Sequence, residues 1–416
     1  MNSYMAVILI ALIVNLALEL IANILNMGAL EKALPAEFRG VYQEEEYARS
    51  QEYTRVQTKF GFISSFFDLA VLLIFWFMGG FNALDLYVRG FGLSEIWTGL
   101  LYIGVLLLLR AILAIPFDIY ATFVIEERFG FNKTTVQTFI LDFLKGIVLT
   151  VILGGLLLAA VLALFEHGGP QAWLYCWLAV SIFILFLQFI APTWLMPLFN
   201  KFTPLVDGEL KESIVHYAQS VGFTLDKIFA MDGSRRSAKS NAFFTGFGKH
   251  KRIALYDTLI NKHSVPELVA ILAHEIGHYQ KKHILQNMIL SILHMGIMFY
   301  LLSIFISHRG LFDAFFMEHT SVYGGLIFFG LLLSPIEMAL SIILHGLSRK
   351  NEYQADGFAV ETVADPEQMV IALKNLSRDN LSNLTPHPFH VFLHYSHPPV
   401  LKRIQAIRRH IAAIRK

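Results

Sequence analysis

The stretch Ala273-His274-Glu275-Ile276-Gly277-His278-Tyr279-Gln280-Lys281-Lys282-His283 runs without a break into the apolar segment Ile284–Ile306. Residues four apart on a helix share a face, so His274 and His278 point to one spot and can grip one metal ion there. Glu275 is then placed to activate a water on that ion. The segment that follows is long and apolar enough to cross a bilayer, which takes about 20 residues. The expected fold is therefore a membrane protein with a metal site where a helix meets the membrane surface. The plainer reading of the motif alone is a helix face bearing two hydrogen-bonded histidines.

Composition agrees. Of 416 residues, 55% are hydrophobic and 16% are charged, whereas soluble globular chains carry about 25% charged residues. A formal net charge of +1 gives no reason to expect nucleic acid as a partner. The single cysteine, Cys176, rules out an intrachain disulfide, a redox pair and a multi-cysteine zinc site. Any metal must be held by histidine and carboxylate. The first apolar run, Met5–Met27, has no basic residue before it and is too long for a signal-peptide core, so it reads as a retained membrane helix.

Seven stretches reach spanning length: Met5–Met27, Gly61–Phe81, Ile96–Tyr120, Phe139–Phe165, Trp173–Phe199, Ile284–Ile306 and Tyr323–Leu347. The expected fold class is an all-α multi-pass membrane protein of seven helices, divided into residues 1–199 with five spans, a polar region 200–283 holding the motif, residues 284–347 with two more spans, and a polar tail 348–416. An odd number of spans puts the termini on opposite sides, and lysine and arginine decide which. Five follow span one, two follow span three, twelve follow span five and ten lie in the tail, against one, none and one in the other loops. The N-terminus is expected outside, with both polar regions and the C-terminus in the cytosol.

Span seven returns the chain to the side where the motif begins span six. The polar run Asn351-Glu352-Tyr353-Gln354-Ala355-Asp356 can therefore reach the two histidines. A catalytic zinc takes three protein ligands and leaves a fourth position for water. Glu352 is the best third candidate on topology, the alternative being a solvated carboxylate at a membrane interface. Asp356, one turn on, suits a hydrogen bond to the free ring nitrogen of a ligating histidine. Gly277 removes a side chain where another segment can approach. Ala242-Phe243-Phe244 and Arg252–Tyr256 are strand-like runs flanking Gly246, Gly248 and Lys249, which predicts a small β-hairpin. Ser264 with Glu267 predicts a capping box for the motif helix, with Pro266 in its first turn.

These residues carry a resemblance. The chain resembles the type I CAAX prenyl protease family, integral-membrane zinc endopeptidases of the gluzincin kind. The matching segments are Asp232–Ser237, Ser240–Gly246, Arg252–Ile260, Ala273–Tyr279, Glu352–Asp356, Tyr395–Pro399 through Arg403, and the charged run Gly40–Gln51. The resemblance implies one zinc ion per chain held by His274, His278 and Glu352, with Asp356 supporting them. It implies Glu275 as the general base. Asn241, Ala242 and Phe243 would form the edge strand against which substrate lies, and His397 and Arg403 would face or support the reacting centre. It further implies a water-filled chamber enclosed by the seven helices, with the zinc site at its cytosolic end. The substrate would be a peptide or protein, prenylated or otherwise membrane-associated, cleaved near its C-terminus. Membrane lipid is the other expected contact.

Two features depart from the family: the loop between spans six and seven is short, and no terminal retrieval signal of the Lys-Asp-Glu-Leu type is present. The compact form suits a bacterial member in the inner membrane. A eukaryotic member would sit in the endoplasmic reticulum membrane. Other readings differ in activity: an intramembrane or quality-control protease without prenyl specificity, or a catalytically silent channel or assembly factor that keeps zinc structurally. The charged residues flanking the motif oppose intramembrane cleavage, and an intact Glu275 opposes silence. His387, His390, His394 and His397 are dense enough for a second metal site, but Pro386 and Pro388 break any single ligand face. Glu19, Asp68, Arg110 and Glu337 lie inside spans, where charge is costly unless it meets a partner or water.

Overall fold

The computed structural model describes residues 2–31, 33–225, 227–245 and 252–415. Among these residues six helices are long and apolar enough to cross a bilayer: Ser3–Gly28, Glu44–Phe77, Glu95–Glu126, Val136–His167, Gly169–Phe199 and His283–Phe305. A bent pair, Val322–Leu332 with Ser334–Thr362, makes the seventh, with a 56° angle between its halves. Pro335 stands at the bend, where its missing N–H and bulky ring prevent the helix from continuing straight. The expected seven spans are therefore present, the last of them broken.

Two of these helices outrun the membrane. Glu44–Phe77 has 34 residues, or about 51 Å at 1.5 Å per residue, against about 30 Å for a hydrocarbon core, and its first half carries most of its charges. Ser334–Thr362 continues unbroken past the expected span end at Leu347, so Glu352 and Asp356 sit on the same rod as the membrane segment.

The spans bury little of themselves. In the six single helices only 6–22% of the most apolar window is buried. A solid bundle would bury an inward stripe of roughly a third of each helix. Most of each apolar window therefore lies open, free to face lipid, and is not packed on neighbouring helices. Glu19 meets the Ser65 hydroxyl at 2.9 Å and Glu337 meets His294 at 3.1 Å. Asp68 and Arg110 are exposed. These are half-open polar contacts and not sealed ion pairs.

The end of the bundle remote from the motif is closed by elements that read as loops in the sequence. A short helix, Gly80–Arg89, packs Phe81 against Phe315 and Phe328, with Trp76 stacked on Phe315 at 4.4 Å. The Trp76 indole N–H donates to the Ala314 carbonyl at 2.7 Å. Asp85 is fully buried there, bound by Arg89 at 3.0 Å and by the Tyr323 hydroxyl at 2.5 Å.

The polar regions fold as one body. The predicted hairpin is present as β3 (Ala242–Thr245) against β4 (Arg252–Tyr256), with Ala242 opposite Leu255. Its turn residues Gly246, Gly248 and Lys249 lie outside the described residues. It is also part of a larger sheet than expected. Adding β1 (Phe202–Pro204) and β2 (Lys227–Met231) gives the order β1-β2-β4-β3, with β2 parallel to β4. The two added strands are too short to show alternation. One sheet face, through Ile228, Ile253 and Leu255, joins a core with the motif helix (Val265–Gln280), the roof helix (Glu367–Asp379) and the tail helix (Val400–Ile414). Phe38, Tyr42 and Tyr47, from the loop after span one, belong to the same core. The Tyr42 hydroxyl donates to the Ser377 carbonyl at 2.7 Å, and Glu37 bridges Lys374 at 2.6 Å and Arg408 at 2.8 Å. The basic loops and the tail thus share one side.

Asp85→Ala tests the closed end. It removes a buried carboxylate and the acceptor of the Tyr323 hydroxyl and leaves Arg89 with Glu95 alone, so stability in detergent should fall by roughly 1–3 kcal/mol, seen as a lower unfolding temperature. Metal content of the surviving folded fraction should be unchanged.

Candidate active site

The motif helix begins after Ser264, but not with the expected capping box. Glu267 turns away from the backbone to meet the Ser264 hydroxyl at 2.8 Å, His263 Nδ1 at 2.8 Å and Asn375 Nδ2 at 2.9 Å. Burial opposes the charge of Glu267, and these partners more than offset it, holding its carboxyl below the usual range. The start of the motif helix is thereby pinned to the roof helix. At the other end Lys282 takes a left-handed conformation, φ 60°, which turns the chain so that His283 opens span six. Mid-helix, a Cβ on Gly277 would lie 3.0 Å from the Ala355 carbonyl oxygen, so glycine is what lets the two helices cross in contact.

That crossing brings three ligand atoms together. His274 Nε2 lies 3.2 Å from His278 Nε2 and 3.4 Å from Glu352 Oε2, while Glu352 Oε1 lies 3.2 Å from His278 Nε2. Ligands about 2.0–2.1 Å from a tetrahedral ion stand about 3.3 Å apart, so this spacing fits zinc. Glu352 Oε2 is buried without a hydrogen-bond partner, which an ion at that point would supply. Among the described residues this is the one group of three histidines, cysteines or carboxylates close enough to hold an ion. The chain of histidines after Pro386 forms none. His387 instead accepts from the Phe389 N–H and caps its own short helix.

Each histidine is oriented by its second ring nitrogen. His274 Nδ1 lies 3.0 Å from Asp356 Oδ1. Arg403 grips Asp356 with two bonds, Nε at 2.9 Å and Nη2 at 2.5 Å, and its Nη1 is 3.4 Å from Glu352. Burial opposes the charge of Arg403, and Asp356 more than offsets it, keeping the guanidinium charged. One buried cation thus allows two carboxylates to lie side by side. The second arm was not foreseen from sequence. His278 Nδ1 meets His283 Nδ1 at 3.1 Å, and His283 Nε2 meets Gln354 Oε1 at 2.9 Å. An amide oxygen only accepts, so His283 donates from Nε2 and accepts at Nδ1. His278 must then donate from Nδ1, which leaves its Nε2 lone pair facing the ligand point. The signal lay in His283 itself, which reads as a basic flank until the turn at Lys282 folds it back.

Glu275 is half-buried, and burial raises its pKa, with the neighbouring histidines acting against that rise. It lines a cleft of about 130 Å³ with His274, Glu352, His397, Arg403, Asn241 and Ala242. Leu259, Ile271, Met369, Leu373 and Leu376 give that cleft an apolar wall. His397 stands over its mouth with its side chain 62% exposed and Nε2 3.3 Å from Glu352 Oε1, while Ser396 Oγ meets its Nδ1 at 2.9 Å. Arg403 follows in the first turn of the tail helix, so the Tyr395–Arg403 run delivers both groups to one place.

Of the three expected edge-strand residues, Asn241 and Ala242 line this cleft, but Phe243 does not. Successive side chains on a strand alternate faces, and that of Phe243 points to the far side of the sheet. Its backbone groups face β4, so a substrate strand on the metal side would pair with Ala242 and not with Phe243. Asn380 steadies the approach to β3, accepting from the Ser240 N–H at 3.0 Å and donating to the Ser240 carbonyl at 3.2 Å.

Two family profiles cover nearly the whole chain: the N-terminal region of CAAX prenyl proteases, described as five membrane helices, over residues 23–201, and peptidase family M48 over residues 204–411. This protein belongs to peptidase family M48, in its CAAX prenyl protease branch. It is a membrane metallopeptidase. It is 36% identical over 91% of its length to CAAX prenyl protease 1 of Saccharomyces cerevisiae, covering 89% of that protein. It is 38% identical over 90% of its length to the Arabidopsis thaliana homologue, covering 90% of that one. The crystal structure of S. mikatae Ste24p superposes with a TM-score of 0.92 at 34% identity, over 98% of this chain and 99% of that one. These relatives are eukaryotic, so the bacterial origin suggested by the short loop is not borne out. That loop is a folded part of the closed end, containing the helix Arg309–Asp313.

His283→Ala removes the acceptor for His278 Nδ1 and frees that ring to turn. Zinc retention against a chelator should fall about 10- to 100-fold, as is usual when a ligand's hydrogen-bond partner is lost. Glu352→Ala should lower it further. Retention equal to the unaltered protein in either variant would remove that residue from the site.

Proposed function

We propose that this chain is a zinc-dependent endopeptidase that cuts CAAX-type proteins near their C-terminus, with prenylated substrates preferred. The observation that carries this is the convergence of His274, His278 and Glu352 at tetrahedral spacing in a cleft shared with Glu275 and the end of an open strand. His274, His278 and Glu352 would hold the ion. When bound, zinc would acidify a water and polarise the scissile carbonyl. Glu275 takes the proton of the attacking water and later gives it to the leaving amine. His397, at the open side of the cleft, donates to the carbonyl oxygen as negative charge builds there. Arg403 holds Asp356 and so keeps His274 in the correct tautomer.

β3 supports substrate alignment. The Tyr256 N–H donates to the Asn241 carbonyl at 3.1 Å, so Asn241 and Phe243 turn their backbone groups to β4 and Ala242 turns outward. The Ala242 N–H is covered by the Asn241 side chain at 2.9 Å. A substrate strand would displace that side chain and pair with Ala242, a backbone-led mode that tolerates varied sequence. The intramembrane-cleaving alternative fits less well, because the motif helix packs in the water-side core with the sheet and tail helix.

Glu275→Gln keeps the shape of the site but cannot take a proton. Turnover of a CAAX-type peptide should fall at least about 100-fold with zinc retained. His397→Ala should lower kcat by roughly 10²–10³-fold while KM and zinc content stay close to normal. Near-normal turnover in the first variant would end the proposed mechanism. Lower thermal stability at unchanged kcat in the second would reduce His397 to an anchor for the Pro398-Pro399 turn.

The distribution of Lys and Arg supports a cytosolic C-terminus and an outward N-terminus, in the endoplasmic reticulum membrane for a eukaryotic chain. A glycosylation reporter fused after the tail helix should stay unglycosylated, and the same reporter at the N-terminus should be modified. The reverse pattern would overturn this orientation.

A further inference from the structure

A second cleft, of about 160 Å³, lies on the far face of the sheet. Its walls are Phe202, Phe229 and Phe243 from three strands, and Pro192, Thr193 and Pro197 from the end of span five. Strand register explains the grouping. Phe243 and Phe229 both pair with Ala254, and Phe202 shares their face through β1, so alternation puts these side chains together. The sheet therefore packs one face on the water-side core and turns the other toward a membrane helix. Trp194 and Leu198, beside the cleft on the end of span five, are 74% and 49% exposed, as befits a membrane interface. One cation, Arg252, lies at the cleft with its guanidinium 5.9 Å from the Phe229 ring centroid.

The two clefts meet at one strand. Ala242 borders the metal-side cleft and Phe243 borders the membrane-side cleft, on successive residues of β3. A substrate strand laid along that edge must also send successive side chains to opposite faces. The residues on either side of the scissile bond therefore enter different clefts. One of them would meet the aliphatic wall of Ile271, Leu373 and Leu376, and the other the aromatic cleft at the membrane interface.

We infer that the cleft formed by Phe202, Phe229 and Phe243 with the end of span five binds the isoprenoid chain on the cysteine immediately before the scissile bond. This rests on the CAAX reading above and deepens it. The cleft's chemistry suits the ligand: three aromatic rings and two proline rings offer apolar surface, and the bilayer from which a prenylated tail arrives lies next to it.

The test uses the full-length protein in nanodiscs and two peptides of one sequence, one carrying a farnesyl thioether and one with the free thiol. Thr193 is exposed, so Thr193→Trp fills the cleft from its rim without disturbing the core. For the farnesylated peptide KM should rise about tenfold or more, the loss expected when contact with about two methylene groups is blocked. For the free-thiol peptide kcat/KM should not change. Phe229→Ala should act on the same peptide in the same direction. A diazirine on the farnesyl chain should label Phe202, Phe229 or Phe243. Equal effects on both peptides, no effect on either, or labelling confined to lipid or to other spans would overturn the assignment. If the unaltered protein shows no preference for the farnesylated peptide, the prenyl reading itself fails. If that preference exists and survives Thr193→Trp, only the cleft is wrong.

Discussion

The contact between Gly277 and Ala355 is the constraint on which the site depends. Two histidines on one helix fix two ligand directions, but the third must come from a rod that begins inside the membrane. The rods can approach closely only where one lacks a side chain, and a Cβ at Gly277 would press on the backbone of Ala355. Ala355 lies between Glu352 and Asp356. The same crossing thus sets the first carboxylate against both histidines and the second against the back of His274. A larger residue at position 277 would push both carboxylates away together.

Charge is balanced around that crossing in a way that makes the pieces interdependent. Two buried carboxylates need a buried cation, and Arg403 supplies it from the last helix of the chain. The tail is therefore part of the site, although it lies far away in sequence. On the opposite flank the chain His278–His283–Gln354 carries no net charge and works through donor and acceptor order alone. Both arms set the tautomer of a histidine, one through a charged carboxylate and the other through a neutral imidazole and amide. Loss of Arg403 should disturb the site's electrostatics, whereas loss of His283 should disturb its geometry.

Much of this was legible from residue types and order. Seven apolar stretches, the His274–His278 spacing and the return of span seven to the same side were enough to propose Glu352 and Asp356. The strand at Ala242 is legible locally, but its use as a substrate edge, like the roles of His397 and Arg403, comes from the family resemblance. What stayed hidden had physical reasons. His283 reads as a polar flank because its role depends on the left-handed turn at Lys282. β1 and β2 are too short for alternation to emerge. The helix Gly80–Arg89 lies where glycines and a charged end suggest a loop, and its burial comes from partners in span two and in the segment around Phe315 and Phe328. The resemblance groups Phe243 with Asn241 and Ala242, and the two-residue period of β3 puts its side chain on the opposite face from that of Ala242.

The unbroken helix from Ser334 to Thr362 makes the site a mechanical lever. Glu352 lies 17 positions beyond the bend at Pro335, or about 26 Å along the rod. A change in tilt of only about 3° at the bend would carry its carboxylate more than about 1 Å. Metal coordination tolerates only about 0.2 Å. Any change in the tilt of span seven would therefore be felt at Glu352, and the close seat of Ala355 on Gly277 is what opposes it.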